Sequence, residues 1–168
     1  EISCEEEVLE GMCYQKLEIE EKVRRTEEML KLMEIEHLRK ANPYDLSGGE
    51  QQRLALAKVM VSNPDILLLD EPTKGLDPFF KQTLGRILRS LCKENKTIFM
   101  VSHDIEFCAE FGDRCSMFFD GEIATSGSSK EFFSGNNFYT TVENKLTRKW
   151  CEGIITGEEA RSWIRSLL

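Results

Sequence analysis

At 168 residues the chain is long enough to bury one hydrophobic core with a small appendage, and too short for two full domains. Hydrophobic residues at 40% and charged residues at 31% exclude a disordered or fibrous class. The net charge of −8 argues against a nucleic-acid surface; residues 1–40 alone hold twelve acidic and seven basic side chains.

No apolar run reaches membrane-spanning length, and the start, Glu1-Ile2-Ser3-Cys4-Glu5-Glu6-Glu7, lacks the basic and apolar regions of a signal peptide. Any membrane role is therefore expected to be peripheral. The six cysteines, Cys4, Cys13, Cys92, Cys108, Cys115 and Cys151, form no C-x-x-C pair and are read as reduced core residues of a cytosolic protein.

Ser3-Cys4-Glu5-Glu6 is a capping box, and residues 3–40 are predicted to form two helices separated near Gly11 to Leu17. Val23, Thr26, Leu30 and Met33 recur at helical spacing with charges on the other face, and Asn42-Pro43 ends the segment. His37, beside Glu36 and Arg39, has no partner pattern for a metal or for catalysis and is assigned to a solvated face.

Leu46-Ser47-Gly48-Gly49-Glu50 holds a second capping box, Ser47 with Glu50, which predicts a helix from Gly48 to Val61 stopped by Ser62-Asn63-Pro64. Two glycines in a first turn cost helix stability, so another demand must favour them. Lacking side chains, they let a ligand approach the bare amides, and such a helix start suits phosphate. On these residues alone a plain capped helix after a glycine turn accounts for the pattern equally well.

Ile66-Leu67-Leu68-Leu69 reads as a strand buried on both faces of a parallel sheet, and it ends in Asp70-Glu71-Pro72-Thr73. Ligands of open α/β sheets collect at the carboxyl ends of strands. Side chains alternate along an extended chain, so the two carboxylates are expected to diverge, one free to hold magnesium and the other to polarise a water. Thr73-Lys74-Gly75-Leu76 is a turn, and Asp77-Pro78 starts a helix running to about Glu94. Thr97 to Val101 is a second buried strand ending at Ser102-His103-Asp104, so His103 is expected to share the crevice with the carboxylates. A helix over residues 105–111, a hairpin of Cys115–Phe119 and Glu122–Thr125 about Asp120-Gly121, and a short helix opened by Gly127-Ser128-Ser129 follow. Residues 136–150 are helix-like, and a last helix begins after Thr156.

Taken in order, Leu46 to Glu50, Ile66 to Thr73, Gly75-Leu76-Asp77 and Val101-Ser102-His103-Asp104 resemble the signature, Walker B, D-loop and H-loop motifs of the ATP-binding cassette (ABC) ATPases. The resemblance covers nearly the whole chain. It implies an α/β, P-loop NTPase-like parallel sheet with a helical signature subdomain, and ATP and Mg2+ as cofactors. Asp70 would act on magnesium through water, Glu71 would be the general base, and His103 would contact the γ-phosphate. In the family two cassettes sandwich two ATP molecules head to tail, so Ser47, Gly48 and Gly49, with Glu50 and Asp77 from the same motifs, would serve the nucleotide of a second cassette. The implied division is a partial ABC ATPase domain over 1–135, with the helical arm and signature helix in 1–62 and the Walker B to H-loop core in 63–135, followed by a helical appendage over 136–168.

Departures from the family pattern carry expectations of their own. No G-x-x-x-x-G-K-[ST] occurs, so the P-loop strand of the family is absent and the chain reads as a truncated cassette that binds ATP weakly or not at all by itself. Glu50 stands where glutamine is commoner, and Lys74 where a small residue is usual. The tail, Asn137-Phe138-Tyr139-Thr140-Thr141 with Asn144-Lys145-Leu146, resembles that of energy-coupling factor ATPases, which drive vitamin or metal-ion uptake. The resemblance implies a second ABC ATPase subunit and a transmembrane coupling subunit as partners, no nucleic acid, and a place on the cytoplasmic face of the cell membrane. A non-catalytic module that only lends its signature helix to a partner, and a soluble ABC ATPase outside transport, are the alternatives.

Overall fold

In the computed structural model, which describes residues 2–135 and 139–167, the capping boxes at Ser3, Ser47 and Thr156 are all formed. Asn136, Asn137 and Phe138 lie outside the described residues, and with them part of the tail motif. The chain divides into two compact units, one comprising the residues up to Leu84 with Ser90–Val101, the other Gly85–Arg89 with the residues from Ser102 onward.

The first unit starts with α1 (Cys4–Glu10) and α2 (Ile19–Leu32), followed by 3-10 turns at Glu36–Leu38 and Pro43–Asp45 and by α3 (Gly48–Met60). Along α2 and just past it, Thr26, Leu30 and Met33 are buried, while Arg24 and Arg25 pair with Glu21 on the outer face. His37 is exposed as expected, though it sits in a 3-10 turn rather than on the helix. The end of α1 meets α3 so closely that a Cβ on Gly11 would lie 2.1 Å from the Lys58 carbonyl oxygen. Lys58 in turn reaches Glu7 and Glu10, both at 2.6 Å. Of the six cysteines, all free, Cys4 is buried, Cys92, Cys108, Cys115 and Cys151 are half-buried and Cys13 is exposed, so the core assignment fails outright for Cys13.

β1 (Ile66–Asp70) and β2 (Thr97–Val101) pair in parallel, Ile66 opposite Thr97 and Asp70 opposite Val101. The connection between them includes α4 (Pro78–Lys93), capped by Asp77. Burial on both faces was expected, and the structure corrects this. Leu67 and Leu69 are 2% and 9% exposed, whereas Ile66, Leu68, Phe99 and Val101 are 61%, 73%, 63% and 65% exposed. A parallel strand is enclosed only where a layer packs on each side. Among the described residues one side of this pair is covered.

In the second unit α5 (Ile105–Phe111) precedes the antiparallel hairpin of β3 (Arg114–Phe119) and β4 (Glu122–Ser128), which extends past the expected Thr125. α6 (Ser129–Gly135), α7 (Val142–Thr147) and α8 (Gly157–Ser166) follow, α7 being much shorter than the helix-like stretch in the sequence. Ala109, Phe133 and Ile155 form a small core with Ile105, Cys108, Cys115 and Phe132 packed on it.

At the start of α3 the Ser47 hydroxyl donates to Glu50 Oε2 at 2.6 Å, the Ser47 amide donates to the same oxygen at 2.8 Å, and the Glu50 amide donates back to Ser47 Oγ at 3.4 Å. These bonds from the Ser47 hydroxyl and amide hold the Glu50 carboxyl below its usual 4.5. A carboxylate favoured in the folded state stabilises it above the ordinary value and ceases to as pH falls through the lowered one. Ser47→Ala is expected to cost about 1 kcal/mol of stability at neutral pH, and to move the Glu50 titration up toward its ordinary value; NMR of the carboxyl carbon with denaturant unfolding reads both. Gly11→Ala forces the new methyl into the Lys58 carbonyl and is expected to cost about 1–3 kcal/mol in the same unfolding measurement.

Candidate functional site

The turn that follows β1 is bound at both ends. The Glu71 amide donates to the Val101 carbonyl at 2.8 Å, extending the β1–β2 ladder by one bond. Glu71 itself adopts φ +47°, a left-handed conformation uncommon for a residue with a side chain. Lys74 N then donates to Glu71 O at 3.1 Å and Leu76 N to Thr73 O at 3.2 Å, closing the turn. At its far end Asp77 Oδ1 accepts from the amides of Phe79 and Phe80, both at 3.0 Å, and starts α4. Bonding to the Phe80 amide, with Arg53 nearby, holds the Asp77 carboxyl below its usual range.

One side of α3 packs on this turn. A Cβ on Gly49 would lie 2.9 Å from the Gly75 carbonyl oxygen, and Gly75 has φ +75°. Gly49 is therefore required by the neighbouring backbone, a demand that sequence reasoning assigned to a ligand. Around Gly48, by contrast, a Cβ would meet nothing within 4 Å. Gln52 Nε2 donates to the Pro72 carbonyl at 3.3 Å, and Arg53 Nη2 donates to Asp77 Oδ2 at 2.6 Å. The Arg53 guanidinium also reaches Glu34 at 3.2 Å and lies 3.8 Å from the centre of the Phe80 ring.

Between α3 and this turn lies a cleft of about 410 Å3 lined by Glu34, His37, Ser47, Gly49, Glu50, Arg53, Gly75 and Asp77. The structure thus brings Ser47, Gly49, Glu50 and Asp77 to one cleft, and Gly48 is not among the residues lining it. Sequence reasoning missed Arg53 and Glu34, and it placed His37 only on a solvated face. The signal for Arg53 was its spacing, since residues 49, 52 and 53 share a helix face.

Asp70 and Glu71 are not among the residues lining this cleft. Asp70 is exposed at the carboxyl end of β1, and Glu71 is half-buried in the turn that follows. His103 is exposed in the segment between β2 and α5 and belongs to the second unit, whereas Asp70 and Glu71 belong to the first. No group of three or more His, Cys, Asp or Glu side chains able to hold a metal occurs among the described residues. A lone, exposed Asp70 fits magnesium all the same, because that ion keeps its waters and takes one or two carboxylates together with substrate phosphates.

No helix among the described residues is long and apolar enough to cross a membrane. A protein-family model described as ABC transporter matches residues 2–74. A Bacillus cereus protein named as an ABC transporter ATP-binding protein is 50% identical over 133 residues, covering 79% of this chain and 24% of that protein. The phosphate import ATP-binding protein PstB of Mycobacterium intracellulare is 43% identical over 101 residues, 60% of this chain and 35% of its own. The chain thus spans about a quarter to a third of the length of these relatives. Among solved structures, the dimeric ATP-binding cassette MJ0796 bound to ADP and phosphate superposes with a TM-score of 0.71 at 32% identity, over 76% of this chain and 57% of that one. The Clostridium perfringens cbiO1, part of the ABC transporter complex cbiONQ, gives 0.69 at 32% identity, over 88% of this chain and 58% of that one. Motif order, relatives and fold agree, and the chain belongs to the ABC transporter ATPases, of whose ATP-binding domain it is a part.

Proposed function

We propose that this chain is the signature and Walker B portion of an ATP-hydrolysing subunit that energises import across a membrane, of the energy-coupling factor type that takes up a vitamin or metal ion. The observation that carries the reading is the joining of the capped Ser47–Gly49 turn to the Glu71–Asp77 turn in one unit of the structure. Phosphoryl transfer asks a protein mainly for positioned charge and hydrogen-bond donors, and both turns supply these.

In this reading the attacking water gives its proton toward the Glu71 carboxylate while its oxygen bonds the γ-phosphorus and the bond to ADP breaks. Glu71 suits the part because its backbone is fixed by the Val101 carbonyl on one side and the turn on the other. Asp70 would hold magnesium through water, an ion that neutralises charge on the phosphates when bound. His103 would contact the γ-phosphate. Ser47 and the amides of Gly48 and Gly49 would face the nucleotide of a second cassette, and the dimeric form of MJ0796 supports this. Membership of cbiO1 in a transporter complex supports a transmembrane coupling subunit as the other partner and a peripheral place on the cytoplasmic face.

The alternative is a module that lends its signature turn to a partner without hydrolysing ATP, in which Glu71 has no catalytic part. One measurement separates the readings. Glu71→Gln in the intact protein is expected to abolish ATP turnover and leave ATP binding intact; undiminished turnover would reject Glu71 as the base. Calorimetry of the 168-residue chain alone is expected to show weak ATP binding or none, because the sequence holds no phosphate-cradling loop.

A further inference from the structure

Arg53 lines the cleft with both terminal nitrogens and its guanidinium plane engaged. One nitrogen reaches Asp77 and another Glu34, and the guanidinium plane lies over Phe80. It is thereby committed to neighbours within its own unit, which suits a positioning role better than direct contact with phosphate. Asp77 divides its two oxygens between tasks, Oδ1 capping α4 and Oδ2 receiving Arg53. A planar fork gripping a capping carboxylate ties the axis of α3 to the start of α4 in a way that a flexible ammonium would not. Gln52 at the Pro72 carbonyl and Gly49 against Gly75 complete a row of contacts along the same helix face.

We propose that Arg53 is a positioning residue that fixes the Ser47–Gly49 turn relative to the Gly75–Asp77 turn, so that both meet the nucleotide of a second cassette as one surface. The proposal rests on the functional reading above. If the clasp loosens, each turn keeps its own cap, Ser47 through Glu50 and α4 through Asp77 Oδ1, but the spacing between them is no longer set. The consequence falls on closure over nucleotide and on turnover, and much less on loading of ATP.

The test measures ATP turnover of the intact protein against ATP concentration, with melting temperature recorded for each variant. Arg53→Met and Asp77→Asn are compared, the latter because asparagine still caps a helix while giving up the charge that Arg53 grips. Each is expected to lower kcat by about tenfold or more with KM changed less than about twofold. The double variant should be no worse than the poorer single one within about twofold, since both remove the same link. Arg53→Lys should recover part of the loss. A folded Arg53→Met with the kcat of the unaltered protein, losses that track the melting temperature alone, or single losses that multiply in the double variant would each overturn the proposal. Glu71→Gln run alongside keeps the outcomes apart: abolished turnover there with unaffected Arg53 variants rejects the clasp only, whereas undiminished turnover rejects the catalytic reading beneath it.

Discussion

The packing of one face of α3 against residues 72–77 is the constraint on which the candidate site depends. It places two helix N-termini, those of α3 and α4, beside the same cleft. Each carries the partial positive charge of a helix start, and each is already answered by a carboxylate, Glu50 in one case and Asp77 in the other. The bonds that make these caps also keep both carboxyls below their usual pKa range, so both are charged at neutral pH. With Glu34 added and Arg53 held between Glu34 and Asp77, the cleft interior is acidic. A phosphate would therefore meet repulsion inside it. The unobstructed approach to the first amides of α3 is from the side of Gly48, where nothing lies within 4 Å of a would-be Cβ. The geometry separates two glycines that look interchangeable in the sequence: Gly49 serves the packing and Gly48 leaves the opening.

The same packing explains how Glu71 tolerates a left-handed backbone. A residue with a side chain in that region costs on the order of 1–3 kcal/mol and persists where its surroundings over-determine it. Here the ladder bond to Val101 precedes it, the bonds from Lys74 and Leu76 close the turn behind it, and the Asp77 cap anchors the end. From the side, α3 holds the segment at Pro72, Gly75 and Asp77. Thr73 and Pro72 are buried in consequence, although both sit in a turn. Strain at a candidate catalytic position and rigidity of the segment that carries it are two sides of one arrangement.

What was legible in the sequence was local. The capping boxes at Ser3, Ser47 and Thr156 and the Asp77-Pro78 start fix helix beginnings through contacts spanning three residues, and each is where the pattern put it. The extents of β1 and β2 were equally readable, because short apolar runs ended by polar turns leave little choice. Burial was not readable in that way. Ile66-Leu67-Leu68-Leu69 has the composition of a strand enclosed on both sides, but enclosure depends on layers supplied by distant chain, and one is not among the described residues. The reason for Gly49 lay in Gly75, and the role of Arg53 in Asp77 and Glu34, partners that no local window around α3 contains. The roles proposed for Asp70, Glu71 and His103 rest on motif order, the four motifs occurring together.

The bare face of the β1–β2 pair bears directly on Asp70. Because strand side chains alternate, Ile66, Leu68 and Asp70 share that face, and the parallel register sets Phe99 and Val101 on it as well. The carboxylate is thus the polar end of an apolar wall. In water its attraction to a cation is weak, on the order of 1 kcal/mol at 4 Å, and it grows several-fold where the local dielectric falls. An apolar wall lowers the dielectric once a second layer excludes water from it. Parallel strands are ordinarily covered on both faces, and with that cover the carboxylate acts at the edge of a dry region instead of in bulk solvent. Under such a cover the hydrophobic residues leading up to Asp70 would do more than form a strand, since they would set the strength of the charge at its end.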